Sequence, residues 1–230
     1  VEAVTFGKDS IVEGNPGDTA DLVVIDHSTI DPGATRDFSR RLAEYEIELL
    51  DAPVSGGDTG AKAGTLSIMV GGKREVFEQC SDLFKAVGKT ITYCGPSGAG
   101  QATKACNQIL CAMNLWGACE ALALAKSEGL NLQTTIDVTS AGAGGSWQLA
   151  NLGPKIAEAD YEPGFMIDLI NKDLAIVADS ARGRNLPLPG LSLVAGLFQA
   201  AARNGHGRDG TQAIATMLER LGNFRFEDDA

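Results

Sequence analysis

The sequence predicts an α/β domain followed by an all-helical domain, with the boundary near Pro96. Short apolar, β-branched runs alternate with helical patterns before this point, which indicates a sheet that is at least partly parallel. After Gly98 nearly every segment has helical periodicity, and the short turns between segments contain Gly or Pro. We therefore expect domains at residues 1–96 and 97–230, the second opened by a long interdomain helix.

The elements of the first domain follow from local patterns in chain order. We predict strands at residues 1–6, 21–26, 46–51, 66–70 and 89–94, and a helix at residues 73–83. The run at 21–26 has the short apolar core that is typical of a buried parallel strand. Ser28-Thr29 before Pro32 is a start signal for a further helix, which we expect to end near Tyr45.

The second domain is predicted from apolar periodicity and from its turn residues. We predict helices at residues 99–128, 132–140, 146–159, 165–183, 191–204 and 209–221. The first of these stops at Gly129, a suitable C-cap. Its longest uncharged stretch, residues 105–119, is shorter than the roughly 20 residues that span a bilayer. We interpret it as a helix buried between the two domains.

Composition argues against several classes of protein. With 44% hydrophobic and 21% charged residues, the chain is expected to fold rather than to stay disordered. A net charge of −11 repels nucleic-acid phosphates and anionic membranes, so we expect neither as a partner. The cysteines lack CxxC spacing and the two histidines lie far apart. Residues 1–6 also lack the pattern of a signal peptide, so we expect a cytoplasmic protein with reduced thiols and no metal site.

Polar residues interrupt the long apolar helix at Lys104, Asn107 and Gln108. Spacings of three and four residues place them on one helix face, one turn apart. A buried ammonium has its pKa lowered, which suits a lysine to proton transfer, and a neighbouring amide can orient a substrate oxygen. The alternative is that Lys104 lies in an exposed first turn and extends into water. The residues alone leave both interpretations open.

Gly98 and Gly100 precede this helix and allow two further interpretations. A strand, two glycines and a helix resemble the start of a dinucleotide fingerprint, but Thr103 occupies the third glycine position. Glycines also let the end of a helix approach another backbone closely, and we favour this second interpretation.

Four motifs occur together along the chain. They are DHST at 26–29, DAPVSGG at 51–57, GxGxxxKxxN at 98–107 and NKDL at 171–174, with Phe165 shortly before the last. Together they resemble the β-hydroxyacid dehydrogenases of the 3-hydroxyisobutyrate dehydrogenase, tartronate semialdehyde reductase and glyoxylate/succinic semialdehyde reductase type; 6-phosphogluconate dehydrogenase is a more distant relative. The resemblance implies the C-terminal part of a Rossmann-like sheet, a helical substrate and dimerisation domain, and NAD(P)-dependent interconversion of a small 3-hydroxy acid and its semialdehyde or oxo acid.

The resemblance also implies a role for each matching residue. Lys104 and Asn107 are the expected catalytic pair, with Lys104 as general acid and base. The expected substrate-binding residues are Ser55, Gly56, Gly57, Gln108, Phe165 and Asp173. Thr29 and Lys172 are expected to contact the cofactor, NAD or NADP. Gln108 departs from the Asn that relatives often carry at this position, which affects the expected substrate fit.

The family pattern begins with two βα units that carry the sequence G-x-G-x-x-G, and we expect this chain to lack them. The expectation predicts weak or absent cofactor affinity and leaves the choice between NAD and NADP open. An alternative function follows from it, a non-catalytic fragment or oligomerisation module. In either case we expect a homo-oligomer that forms through the helical domain.

Overall fold

A computed structural model describes residues 1–14 and 22–227 of the chain. The chain divides into two compact units, Val1–Cys106 and Asn107–Ala230, and the division falls within the long helix. The sequence-based boundary near Pro96 remains a prediction.

The first unit contains a five-stranded mixed sheet, which confirms the predicted α/β class. Its strands are β1 (Val23–Asp26), β2 (Glu48–Asp51), β3 (Val54–Ser55), β4 (Leu66–Gly71) and β5 (Gly88–Gly95). β1 pairs with β2, and β4 with β5, in parallel, whereas β2 and β3 both pair with β4 in antiparallel orientation. The predicted strand at 21–26 is observed from Val23, and Asp21 lies outside the described residues.

β2 and β3 act as one strand interrupted at Ala52-Pro53. Both pair with β4 in a continuous register, with Asp51 opposite Gly71 and Val54 opposite Ile68. Proline has no N–H to donate, so the ladder is interrupted there, although its carbonyl still accepts from Met69 N at 3.0 Å. Ser55 is the last residue of β3, and a helix at Gly57–Ala63 that the sequence patterns did not predict follows it.

Helices flank the sheet in this unit: α1 (Glu2–Phe6), α2 (Pro32–Ala43), α3 (Gly57–Ala63), α4 (Arg74–Gln79) and α5 (Ser81–Val87). The strand predicted at residues 1–6 is wrong, because Thr5 N and Gly7 N bond back to Val1 O and Ala3 O in helical turns. The helix predicted at 73–83 is broken at Cys80. The start of α2 is capped by Asp31, whose Oδ2 accepts from Ala34 N at 2.7 Å, and not by Ser28 or Thr29.

The core of the first unit lies on both faces of the sheet. Successive strand residues point to opposite faces. Leu49 accordingly packs with Phe38 and Leu42 of α2, whereas Leu50 packs with Phe84 of α5. These two apolar layers hold the carboxyl ends of β1 and β2, where the candidate site residues follow.

The second unit is helical, as predicted. Helix α6 (Ala99–Ser127) leads into it, followed by α7 (Leu132–Ala141), α8 (Trp147–Ala157), α9 (Ile167–Arg182), α10 (Pro189–Ala201) and α11 (Ala215–Gly222). The helices predicted at 191–204 and 209–221 are shorter than expected. A π turn at Ala202–His206 contains Gly205 with φ of 100°, and a 3₁₀ turn at Thr211–Ile214 precedes α11.

Among the described residues, α6 has the length and apolarity of a membrane-spanning helix, with a mean hydropathy of 1.3 over its most apolar stretch. Of that stretch, 44% is buried within the protein. A core helix of a folded domain has the same properties, so α6 does not by itself indicate a membrane protein.

Candidate active site

A buried carboxylate anchors the start of α6. Asp51, at the end of β2, is 0% exposed. Its Oδ1 accepts from Gly98 N at 2.8 Å and its Oδ2 from Gln101 N at 3.0 Å. Burial raises the pKa of Asp51, and the backbone N–H donors of Gly98 and Gln101 oppose that shift. The carboxylate thus occupies the place where a helix has unsatisfied N–H groups and a partial positive charge.

Glycines make this anchoring possible. A Cβ atom at Gly100 would lie 2.7 Å from the carbonyl oxygen of Asp51, and Gly98 has φ of 84°, which L side chains rarely adopt. The structure therefore supports close backbone approach as the role of these two glycines. A G-x-G-x-x-G spacing does occur at Gly205, Gly207 and Gly210, but it follows α10 rather than a strand and lacks the βα context of a nucleotide fingerprint.

Lys104 lies in the turn of α6 that follows this anchor and is 6% exposed. The alternative of an exposed first-turn lysine therefore does not hold. Its side chain is thus shielded from water on a helix whose first turn is fixed by Asp51, and such burial favours proton transfer by a lysine.

Thr29 lies in the loop that follows β1, and this loop is hydrogen-bonded to α6 through a residue that sequence reasoning missed. The side-chain amide of Gln101 donates from Nε2 to Ser28 O at 2.7 Å, and its Oε1 accepts from Ile30 N at 3.1 Å. Gln101 is 1% exposed. A glutamine one turn before a lysine on an apolar helix was the available signal, but nothing local identifies its partners more than 70 residues earlier in the chain.

Ser55, Gly56 and Gly57 form the turn between β3 and α3. Gly56 has φ of 137° and Gly57 has φ of 62°, so two consecutive residues adopt backbone that favours glycine. A Cβ at Gly56 would also lie 3.1 Å from Leu66 Cδ2. Both glycines are exposed, so their N–H groups are accessible to an anion, the ligand that such glycine-rich turns commonly bind.

In the second unit the structure brings four of the sequence-predicted residues into one polar cluster. Gln108 Nε2 donates to Asp173 Oδ2 at 2.6 Å, and Asn107 Nδ2 donates to Gln108 Oε1 at 2.8 Å. Lys172 Nζ lies 2.9 Å from Asp173 Oδ1. This contact is an ion pair. Gln108 and Asp173 are 2% and 3% exposed, so the cluster links α6 to α9 through buried polar groups.

Phe165 lies outside this hydrogen-bonded cluster. It precedes α9 and is half-buried, and its carbonyl oxygen accepts from Thr211 N at 2.9 Å. The neighbouring Met166 forms an isolated antiparallel bridge with Gly210. The backbone at Phe165 is thereby fixed to the turn before α11. Within residues 1–14 and 22–227, no group of three or more His, Cys, Asp or Glu side chains is placed to bind a metal ion.

Both parts of the chain match known family models. Residues 98–218 match the model described as the NAD-binding of NADP-dependent 3-hydroxyisobutyrate dehydrogenase. Residues 1–95 match the NAD binding domain of 6-phosphogluconate dehydrogenase.

Individual proteins give the same result. An uncharacterised oxidoreductase of Bacillus subtilis is 42% identical over 93% of this chain and 73% of its own length. The 2-hydroxy-3-oxopropionate reductase of Escherichia coli is 37% identical over 98% of this chain and 76% of its own length. A solved structure of 3-hydroxyisobutyrate dehydrogenase from Salmonella typhimurium has a TM-score of 0.82 and 29% identity, over 94% of this chain and 74% of that one. The chain thus spans about three quarters of the length of these three proteins.

Proposed function

This chain belongs to the β-hydroxyacid dehydrogenases, a family of NAD(P)-dependent hydroxyacid dehydrogenases, and from that premise we propose that it interconverts a small 3-hydroxy acid and its semialdehyde or oxo acid. The observation that carries the proposal is the buried Lys104 on a helix whose first turn is anchored by Asp51. The relatives named above are oxidoreductases, which favours an enzyme over a non-catalytic oligomerisation module.

The residues of this chain fit the nicotinamide end of the cofactor. Dinucleotides bind beyond the carboxyl ends of parallel strands, and β1 and β2 are parallel neighbours with their carboxyl ends at one edge of the sheet. Thr29 follows β1 at that edge, and we assign it to the nicotinamide. Lys172, half-exposed on α9, is our second proposed cofactor contact. When bound, the cofactor supplies or accepts the hydride.

The remaining steps belong to side chains and backbone of the chain. In reduction, Lys104 donates a proton from its ammonium to the carbonyl oxygen of the substrate while the carbonyl carbon receives the hydride. In oxidation, neutral Lys104 accepts the hydroxyl proton as the hydride leaves the carbon. Asn107, one helical turn further along α6, donates an N–H to the same oxygen.

Substrate recognition is assigned to two groups of residues. The N–H groups of the turn Ser55-Gly56-Gly57 bind the substrate carboxylate. Gln108, Phe165 and Asp173 are proposed to contact the substrate and to select its size. Gln108 is already engaged with Asp173, so its extra methylene relative to Asn serves to reach that carboxylate.

The experiment that tests the function combines cofactor titration with turnover. NADH and NADPH are titrated by tryptophan fluorescence, and small 3-hydroxy acids and semialdehydes are then assayed with wild type, Lys104→Met and Lys104→Ala. Loss of a general acid–base group lowers kcat by about 10²- to 10⁴-fold, and we expect a decrease in that range. Circular dichroism must show that both variants fold like the wild type before the decrease in kcat is assigned to the lost proton transfer.

A matched control removes a lysine elsewhere. Lys85 has a 64% exposed side chain and pairs with Asp82 on the surface, so Lys85→Ala should keep full activity. Turnover by Lys104→Met at the wild-type rate would contradict the catalytic role of Lys104. Cofactor binding with turnover would support the proposed activity and contradict the weak or absent cofactor affinity expected from the sequence. Absence of both in the wild type would agree with that expectation, contradict the proposed activity and favour the oligomerisation module.

A further inference from the structure

Gln101 holds the backbone on both sides of Thr29 with a single side chain. Its amide donates to Ser28 O at 2.7 Å and accepts from Ile30 N at 3.1 Å. A primary amide presents a donor and an acceptor side by side, so it pairs with a C=O and an N–H that face the same way along a backbone. The loop that carries Thr29 is therefore hydrogen-bonded to a side chain of α6.

The other end of this connection is equally well fixed. The backbone N–H of Gln101 donates to Asp51 Oδ2 at 3.0 Å, within the buried anchor of α6. Gln101 is 1% exposed, so water does not compete for its amide. Because the backbone of Gln101 is fixed by Asp51 and its side-chain amide makes two hydrogen bonds to the loop, the loop is held at a defined position relative to α6.

We propose that Gln101 is a positioning residue that holds the Thr29 loop in register with the turn of α6 that carries Lys104. Lys104 follows Gln101 by three residues, about one turn along the helix. The inference rests on the proposed function, in which Thr29 contacts the nicotinamide and Lys104 transfers the proton. Hydride and proton reach adjacent atoms of the substrate, so the loop and the helix turn must keep a fixed separation for both transfers.

Two variants separate the bonds that Gln101 makes. Gln101→Met keeps the length of the side chain and removes both hydrogen bonds. Gln101→Glu keeps an acceptor for Ile30 N but places a carboxylate oxygen against Ser28 O. Thr103→Ala is the matched control, because Thr103 is exposed on the same turn and its hydroxyl donates within the helix, to Ala99 O.

The first measurement does not depend on activity. Amide hydrogen exchange of the full chain, followed by NMR, reports the protection of Ile30 N–H. Two lost hydrogen bonds correspond to about a tenfold to hundredfold change in an opening equilibrium, and we expect exchange at Ile30 to accelerate by that factor in Gln101→Met. The amides of Gly98 and residue 101, bonded to Asp51, should keep their protection. Thr103→Ala should leave Ile30 unchanged.

The second measurement uses the reaction itself. In Gln101→Met we expect kcat to fall about tenfold or more, with a larger primary isotope effect from cofactor deuterated at the transferred position, because misalignment slows hydride transfer itself. The KM for the hydroxy acid should stay near the wild-type value, since the Ser55-Gly56-Gly57 turn is untouched. Gln101→Glu should lower kcat at least as much as Gln101→Met, because its carboxylate oxygen is buried against Ser28 O and repelled by it.

The two measurements separate failure of this inference from failure of the proposed function. If the wild-type protein is inactive, the proposed function is wrong. Hydrogen exchange at Ile30 then tests only whether Gln101 holds the Thr29 loop. Wild-type protection at Ile30 in Gln101→Met overturns the inference. The inference is also overturned if Gln101→Met speeds hydrogen exchange at Ile30 but leaves kcat and the isotope effect unchanged in active protein. The hydrogen bonds of Gln101 would then have a structural role only.

Discussion

At the scale of single residues, Asp51 is a buried carboxylate that stabilises the start of α6, the helix that carries the proposed catalytic lysine. Both of its oxygens accept N–H groups, from Gly98 and Gln101. Asn at this position retains one acceptor and turns an NH₂ group toward donors. We expect Asp51→Asn to lower the free energy of unfolding by about 1–3 kcal/mol, measured by urea denaturation. Asp58→Asn, on an exposed side chain, is the control and should change it little.

The same variant tests the pH dependence of Asp51. Burial raises the pKa of this carboxyl in the folded chain. Between the pKa of about 3.9 in the unfolded chain and the higher pKa in the folded chain, the folded chain keeps a proton that the unfolded chain has lost. The contribution of Asp51 to the free energy of unfolding therefore falls as pH rises between these two pKa values. The difference in unfolding free energy between wild type and Asp51→Asn should shrink as pH rises through it. A difference that grows instead would mean that the N–H donors outweigh burial.

The Gln108–Asp173 contact gives a second residue-level prediction. Gln108→Leu leaves the 3% exposed Asp173 carboxylate without its hydrogen bond at Oδ2, and should cost about 1–3 kcal/mol in unfolding free energy. Removing both partners costs less than the sum of the single changes, because no buried carboxylate oxygen is then left without its hydrogen bond. A double-mutant cycle of Gln108→Leu and Asp173→Leu, measured by chemical denaturation, should therefore show coupling of about 0.5–3 kcal/mol. Strict additivity would contradict the contact.

How far the sequence predicts the site differs from residue to residue. Lys104 and Ser55 lie in motifs with recognisable spacing, and their roles remain proposals. Gln101 could not be identified, because its partners are separated from it by most of the first unit and hydrogen bonds of a buried amide leave no local pattern. Asp51 lies inside a motif, but only the fold shows that it caps α6.

At the scale of elements, strand and helix types were predicted best where apolar patterns are long. The length of α6 is close to the prediction, whereas residues 1–6 form a helix and not a strand. In six residues, apolar positions fit either period, and the packing of Phe6 against Phe38, with ring centroids 5.7 Å apart, favours the helix. The missed α3 begins at Gly57, directly after Gly56, and helix propensity assigns such a glycine pair to a turn.

Helix caps allow a prediction at this scale. The side chain of Asn131 accepts from Thr134 N at 2.8 Å at the start of α7. Asn131→Ala should lower the midpoint of thermal unfolding, with a cost of about 1 kcal/mol, whereas Asn131→Gly should cost only a few tenths because glycine is tolerated at caps. Equal effects of the two variants, measured by calorimetry, would show that the cap bond contributes little.

At the scale of the whole molecule, an apolar stripe on α6 supports the predicted homo-oligomer. Leu110, Met113, Gly117, Ala121 and Leu124 are exposed and recur at helical spacing along one face. Exposed apolar surface that is continuous commonly marks an interface between proteins. We propose that a second copy of the chain covers this stripe.

The proposal predicts the effect of a charge on the stripe. Leu124 is 63% exposed, and Leu124→Lys places a cation where the second copy would pack, so the mass from light scattering should shift from oligomer toward monomer. Leu83 is equally exposed, at 63%, on α5. Leu83→Lys should therefore leave the mass unchanged. A wild-type monomer at micromolar concentration would contradict the proposal.

The bonds of Asp51 also join segments that are far apart in the chain, which bears on when they form during folding. Its partners Gly98 and Gln101 are 47 and 50 residues away, whereas β1 and β2 pair across 25 residues. Closing a longer loop costs more chain entropy, so the nearer pairings have the advantage early. We therefore expect the hydrogen bonds of Asp51 to form after the main folding barrier, in which case Asp51→Asn should speed unfolding more than it slows folding. On this expectation, the anchored start of the helix that carries Lys104 contributes to a slow rate of unfolding.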